Sequence, residues 1–111
     1  MGRDGLGEFE LVVLLAALRL GDSEAHAVAI VDEIHAQTGR GVARAAVYVT
    51  LQRLEKKGLV TTRLGDPLPQ RGGKARRIVR VEEAGLAAVR QMRDSLRSMW
   101  GGLDLVLGPN P

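Results

Sequence analysis

The chain has 111 residues, enough for one domain with a modest core and too few for two. It contains no cysteine, which excludes a disulfide framework and thiolate chemistry. The formal net charge of +3 is unevenly placed: residues 40–80 hold eleven basic side chains against two acidic ones, a local +9, leaving −6 for the rest. Charge divided in this way marks a surface that meets a polyanion rather than general solubility charge. The longest apolar run, residues 11–18, is far short of the ~20 residues a bilayer span needs. Residues 1–7 lack the basic start and apolar core of a signal peptide. The expectation is a cytoplasmic protein with no membrane partner.

Residues 9–20 are apolar nearly all round and end at Gly21, a helix stop. A helix of that kind needs cover on two sides. The protomer's own core supplies one, and a partner chain is expected on the other, with Leu11, Leu14 and Leu15 as the contact residues. Asp22 and Ser23 offer an N-cap and Glu24 a first-turn acid for a second helix. Ala27, Ile30, Val31 and Ile34 form its apolar stripe, which ends near Thr38 and Gly39. A short glycine-containing turn, residues 39–42, leads straight into a third, basic helix, which is helix-turn-helix organisation.

The rest of the chain is arranged around that third helix, residues 43–60. Val47, Leu51 and Leu54 fall at i, i+4 and i+7 and share a buried face that Leu59 continues. Turned away from it are Ala45, Tyr48, Gln52 and Lys56, with Arg44 in the first turn and Arg53 and Lys57 on a flank; Arg44, Ala45, Tyr48, Gln52, Arg53 and Lys56 are the candidate DNA contacts. Small residues let a helix backbone approach the floor of a DNA groove, and long cationic or polar side chains reach phosphates and base edges. A solvated amphipathic helix would look similar in isolation; the basic sequence that follows favours the nucleic-acid reading. After Gly58 the pattern becomes β-branched in residues 59–63 and again in 77–81, with a Pro- and Gly-rich loop between. Such a hairpin after a helix-turn-helix is a wing, and Arg71, Lys74, Arg76 and Arg77 are placed to reach phosphate or an adjacent minor groove.

In the last segment Val89, Met92, Leu96, Met99, Leu103 and Val106 are spaced 3, 4, 3, 4, 3, the seam of one helix packed along another. Gly101 and Gly102 weaken its final turn. The seam predicts a homodimer whose two recognition helices read half-sites about one turn apart. The expected division is a winged helix-turn-helix over residues 1–81, a dimerisation helix over 82–107 in the same compact unit, and a tail over 108–111. The fold class is mainly α with a small β-hairpin. Catalysis has little support: His26 and His35 stand nine apart with no cysteine, a poor metal pair, and no serine has a base at a motif spacing. No enzyme activity, cofactor or metal is expected.

Three passages resemble the PadR family of winged-helix transcriptional regulators. Residues 7–10 with 14–18 are similar to its opening helix. Residues 46–60, with Tyr48, Leu51, the Arg53-Leu54-Glu55 triplet and Gly58, resemble its recognition helix and exit. Residues 76–85 resemble its second wing strand running into the last helix. Departures are Ala43 where a serine is usual, Val49 for a proline, Ala27-Val28 for Gly-Tyr, and Val79 and Glu82 for tyrosine and threonine. The resemblance implies a dimer through a short final helix, binding to a double-stranded DNA operator, and repression relieved in some members by aromatic small molecules. It also makes Trp100, at the margin of the seam, a candidate ligand contact, against the plainer role of plugging the dimer interface. A winged-helix adaptor that no longer reads DNA is the alternative, which the cationic stretch disfavours.

Overall fold

The computed structural model describes residues 5–66 and 76–109. In chain order the elements are α1 (Glu8–Leu20), α2 (Ala27–Thr38), α3 (Arg44–Lys56), β1 (Val60–Leu64), β2 (Arg77–Val81), α4 (Glu83–Trp100) and a single turn, α5 (Asp104–Leu107). The strands form a two-stranded antiparallel sheet running from the Val60–Val81 pair to the Leu64–Arg77 pair. Helix-turn-helix and hairpin together make a winged helix.

Helix α1 is the hub, in contact with α2, α3, β2 and α4. Val13, Leu14, Ala16 and Ala17 are buried on it and meet Ile30 and Ile34 of α2, Val47 and Leu54 of α3, and Val60 and Val79 of the hairpin. Each large aliphatic side chain removed from water there contributes about 1.5–3 kcal/mol before the entropy of ordering is subtracted. Leu14 is fully buried in this core. Its expected place at a dimer contact is therefore corrected: its surface is already spent inside its own protomer, whereas Leu11 is half-buried and Leu15 exposed.

Helix α2 also differs from expectation at its start. Residues 22–24 form a turn, and the N-cap is His26, whose Nδ1 accepts the Ala29 N–H at 3.4 Å. The reason lies next to it: the Ala25 carbonyl accepts the Val79 N–H at 2.7 Å, so the residues before α2 pair with the hairpin instead of coiling. Helix α3 ends as its sequence predicts. Gly58 takes φ +77°, its N–H reaches the Glu55 carbonyl at 3.0 Å, and the Leu59 N–H reaches back to Leu54 at 2.9 Å, a Schellman closure that turns the chain into β1.

The helix expected over residues 82–107 ends at the glycine pair that weakens its last turn, and a separate short turn follows. Helix α4 stops at Trp100, Gly101 is extended (φ −57°, ψ 134°) and Gly102 takes φ +84° before α5 begins. The seam therefore runs unbroken only from Val89 to Met99, and Leu103 and Val106 leave it because two glycines in succession cost a helix about 2 kcal/mol relative to alanine.

Candidate nucleic-acid interface

Four contacts tie the recognition helix, the wing and the turns beside them into the body of the fold. The Arg40 guanidinium bonds both carboxylate oxygens of Glu8, at 2.9 and 3.1 Å, and lies 5.3 Å over the Phe9 ring, tying the helix-helix turn to the start of α1. At the other end of α3, the Lys57 ammonium donates to both oxygens of Glu10 at 3.0 Å. Glu10 also accepts the Gly7 N–H at 2.9 Å, the carboxylate half of a capping box. Burial pushes the Glu10 carboxyl up, but the Gly7 N–H, the Lys57 ammonium and the charge of Arg53 outweigh it and hold the group below its ordinary value. Third, the Arg77 guanidinium donates to Thr62 Oγ1 at 2.8 Å and the Thr62 hydroxyl donates to Glu55 at 3.2 Å, linking wing to recognition helix. Fourth, Arg63 donates to the Asp22 carbonyl at 3.3 Å.

With Arg40 and Lys57 bonded to Glu8 and Glu10, the outward face of α3 carries Arg44, Ala45, Tyr48, Gln52, Arg53 and Lys56, all exposed, together with the aliphatic Val49. Among the described residues, Arg44, Arg53, Lys56 and Arg76 carry no ion pair, and Tyr48 is 49% exposed. Between this face and the hairpin lies an open cleft of about 620 Å³, lined among others by His26, Tyr48, Gln52, Thr62, Arg76 and Arg77. The wing thus presents Arg76 and Arg77, and the helix Tyr48 and Gln52, to one concave surface, with the α3 cations exposed outside it. Arg71 and Lys74, expected at the wing tip, lie outside the described residues. His26 was not singled out for this surface by its sequence context. Burial and the nearby Arg76 charge, opposed by Glu24 and Asp32, hold its imidazole below the ordinary value, which keeps Nδ1 an acceptor for the α2 cap.

The expected dimer residues form a second surface. Val89 and Met92 are half-buried against the body, Leu96, Met99, Trp100 and Leu103 are exposed, and Leu11 and Leu15 of α1 lie alongside. Leu11, Leu15, Val89, Leu96 and Trp100 line an open, shallow cavity of about 420 Å³ that Arg93 and Arg97 flank. The bond of Lys57 to Glu10 and the links of Arg77 to Thr62 and of Thr62 to Glu55 were missed by sequence reasoning. Only Glu10 left a signal, an acid three residues after the helix-start glycine.

Residues 14–91 match the family model described as the transcriptional regulator PadR-like family. The chain belongs to the PadR-like family. It is accordingly a DNA-binding regulator of transcription and not an enzyme. The fold is similar to that of a PadR family transcription regulator from hypervirulent Clostridium difficile R20291, with a TM-score of 0.72 and 16% identity over 92% of this chain and 100% of that one. A PadR family regulator from Eggerthella lenta gives 0.67 and 24%, over 93% and 88%. Bordetella bronchiseptica BpsR, whose DNA binding is regulated by 6-hydroxynicotinic acid, gives 0.63 and 23%, over 93% and 71%. No curated protein matches the chain. No helix among the described residues is long and apolar enough to cross a membrane.

Proposed function

We propose that this PadR-like regulator is a repressor that binds a double-stranded operator as a homodimer and is released by an aromatic small molecule. The observation that carries the DNA-facing part is that Tyr48 and Gln52 of α3 share a cleft with Arg76 and Arg77 of the wing, while Arg44, Arg53 and Lys56 stand exposed on α3 outside it. In this reading Ala45 lets the helix backbone approach the groove floor, Tyr48 and Gln52 meet base edges, and Arg44, Arg53 and Lys56 hold phosphates. Arg71 and Lys74 extend the same role along the wing. The exposed residues of α1 and α4 support the dimer: Leu15, Leu96 and Met99 leave apolar surface that a second copy covers.

A gel-shift titration against the promoter of its own and neighbouring genes tests the proposal. Arg44→Ala and Tyr48→Ala are each expected to weaken operator binding by about 1–3 kcal/mol. Wild-type affinity in both variants, with oligomeric state unchanged, would remove the recognition helix from the DNA. Binding of no promoter at all would leave the adaptor alternative standing.

A further inference from the structure

The core face of α3 is fixed by Val47, Thr50, Leu51 and Leu54, all buried. At about 100° per residue, Ala45, Val49, Gln52 and Lys56, spaced i, i+4, i+7 and i+11, lie within about 30° of the direction opposite to that face. They form the outermost ridge of the recognition helix. Tyr48 and Gln52 turn one flank of the ridge toward the wing cleft, and Arg53 stands on the other. Whatever the helix enters meets this ridge first. Its members differ in kind: a methyl, a branched aliphatic, an amide and an ammonium. Val49 is 47% exposed and is the one branched aliphatic among the exposed residues of α3.

Valine at this position adds nothing to the core and is a poorer helix former than alanine. In a helix its χ1 keeps one strongly preferred rotamer, so its methyl groups hold a fixed outward direction. A lone aliphatic is ordinary on a surface that stays in water. This one stands among Arg44, Arg53 and Lys56, exposed cations that carry no ion pair among the described residues, so the surface that covers it belongs to a polyanion. In the major groove of duplex DNA the base edges offer hydrogen-bond donors, acceptors and one apolar substituent, the thymine 5-methyl group. Ala45, one turn ahead of Val49, has no side chain beyond Cβ to hold the backbone off the groove floor. We infer that Val49 packs on a thymine methyl group and makes the recognition helix select thymine at the base pair it reaches. The inference rests on the recognition helix lying on DNA, as proposed above, and goes beyond it by naming a specificity-determining residue and the base group it reads.

Replacing thymine by deoxyuridine deletes that methyl and leaves every hydrogen-bonding group of the base pair in place. Duplexes that the wild-type protein enriches from a randomised pool supply the site. Each thymine in it is then replaced in turn, and affinities are measured for the wild type and for Val49→Ala. The wild type is expected to lose about fourfold at one thymine in each copy of the recognised sequence, the loss that burial of one methyl-sized group implies. Val49→Ala is expected to bind the unmodified site more weakly by a similar factor and to be indifferent to uracil at that position. Because Val49 is exposed and alanine is the better helix former, the urea midpoint of the variant is expected to be no lower than that of the wild type. Wild-type binding that uracil leaves unchanged at every position overturns the inference. Equal sensitivity of wild type and Val49→Ala also overturns it, since another residue then holds the methyl. In either case, weaker binding by Arg44→Ala or Tyr48→Ala keeps the helix on DNA, so that only the methyl contact falls. Unchanged binding by both, or no enriched duplex at all, removes the recognition-helix reading as well.

Discussion

Gly85 is buried where the first turn of α4 presses on the chain leaving the recognition helix. A Cβ there would stand within contact distance of the Leu59 carbonyl oxygen and 2.8 Å from Val81 Cγ1. Both neighbours are held, Leu59 by the Schellman closure and the Glu82 N–H bond at 2.9 Å, Val81 by its pairing with Val60. Glycine to alanine inside a helix ordinarily gains about 1 kcal/mol in propensity; here the clash with backbone reverses the sign. Gly85→Ala is expected to destabilise by about 1–3 kcal/mol, read as a lower urea midpoint at fixed protein concentration, with Ala84→Gly at the exposed neighbouring position as the comparison. The Glu10–Lys57 pair shows a different lesson at this scale. In sequence Lys57 is one more cation beside Lys56, and a helical projection places it only on a flank. Its partner lies 47 residues away, a separation that no periodicity reports. Arg40 is likewise counted with the DNA-facing charge until its bond to Glu8 removes it.

At the level of elements, the sequence was legible wherever local rules suffice. The periodicity of α3, its glycine stop, the β-branched strands and the helix-turn-helix order all follow from spacing and turn chemistry. What was not legible depends on contacts between distant segments. The cap of α2 passed from Asp22 or Ser23 to His26 because Ala25 pairs with Val79, and Leu14 went to the core because α1 is enclosed by four elements rather than two. The wing offers the sharpest test at this scale. Arg77 is steadied by Thr62 and Glu55 while Arg76 carries no ion pair among the described residues, so both guanidiniums stand over the cleft. Replacing Arg76 and Arg77 by alanine is expected to weaken specific and non-specific DNA binding about equally. The slope of log K against log salt should flatten by roughly 0.9 for each phosphate that is no longer neutralised. Arg90→Ala, on α4 and paired with Glu83 at 3.3 Å, should leave the slope unchanged. An unchanged slope in the wing variant would put the hairpin off the DNA.

For the molecule as a whole, the surfaces proposed to meet DNA and a second copy are joined through α1, which contacts α3 and α4. A ligand that changed how α4 lies on α1 would change the spacing of two recognition helices, and half-site spacing is what a two-fold operator reads. Trp100 is where such a ligand would register. It is the only tryptophan, 58% exposed, and it lines the 420 Å³ cavity with Leu11, Leu15 and Leu96. The cavity's charged neighbours are Arg93 and Arg97, both cations, with Asp94 held on Arg93 at 3.0 Å. That balance favours a planar molecule with a carboxylate: the ring stacks on indole for about 0.5–1.5 kcal/mol beyond burial, and the acid meets a guanidinium. A planar cation would gain at the indole face but lose at the arginines. Titrating aromatic carboxylates is therefore expected to quench the tryptophan emission and to release operator DNA over the same concentration range, with cationic dyes of similar size weaker. Arg97→Gln should narrow the difference between the two classes while preserving the dimer. Emission indifferent to both classes, together with loss of the dimer in Trp100→Ala, would make the residue an interface plug and remove the effector from this cavity.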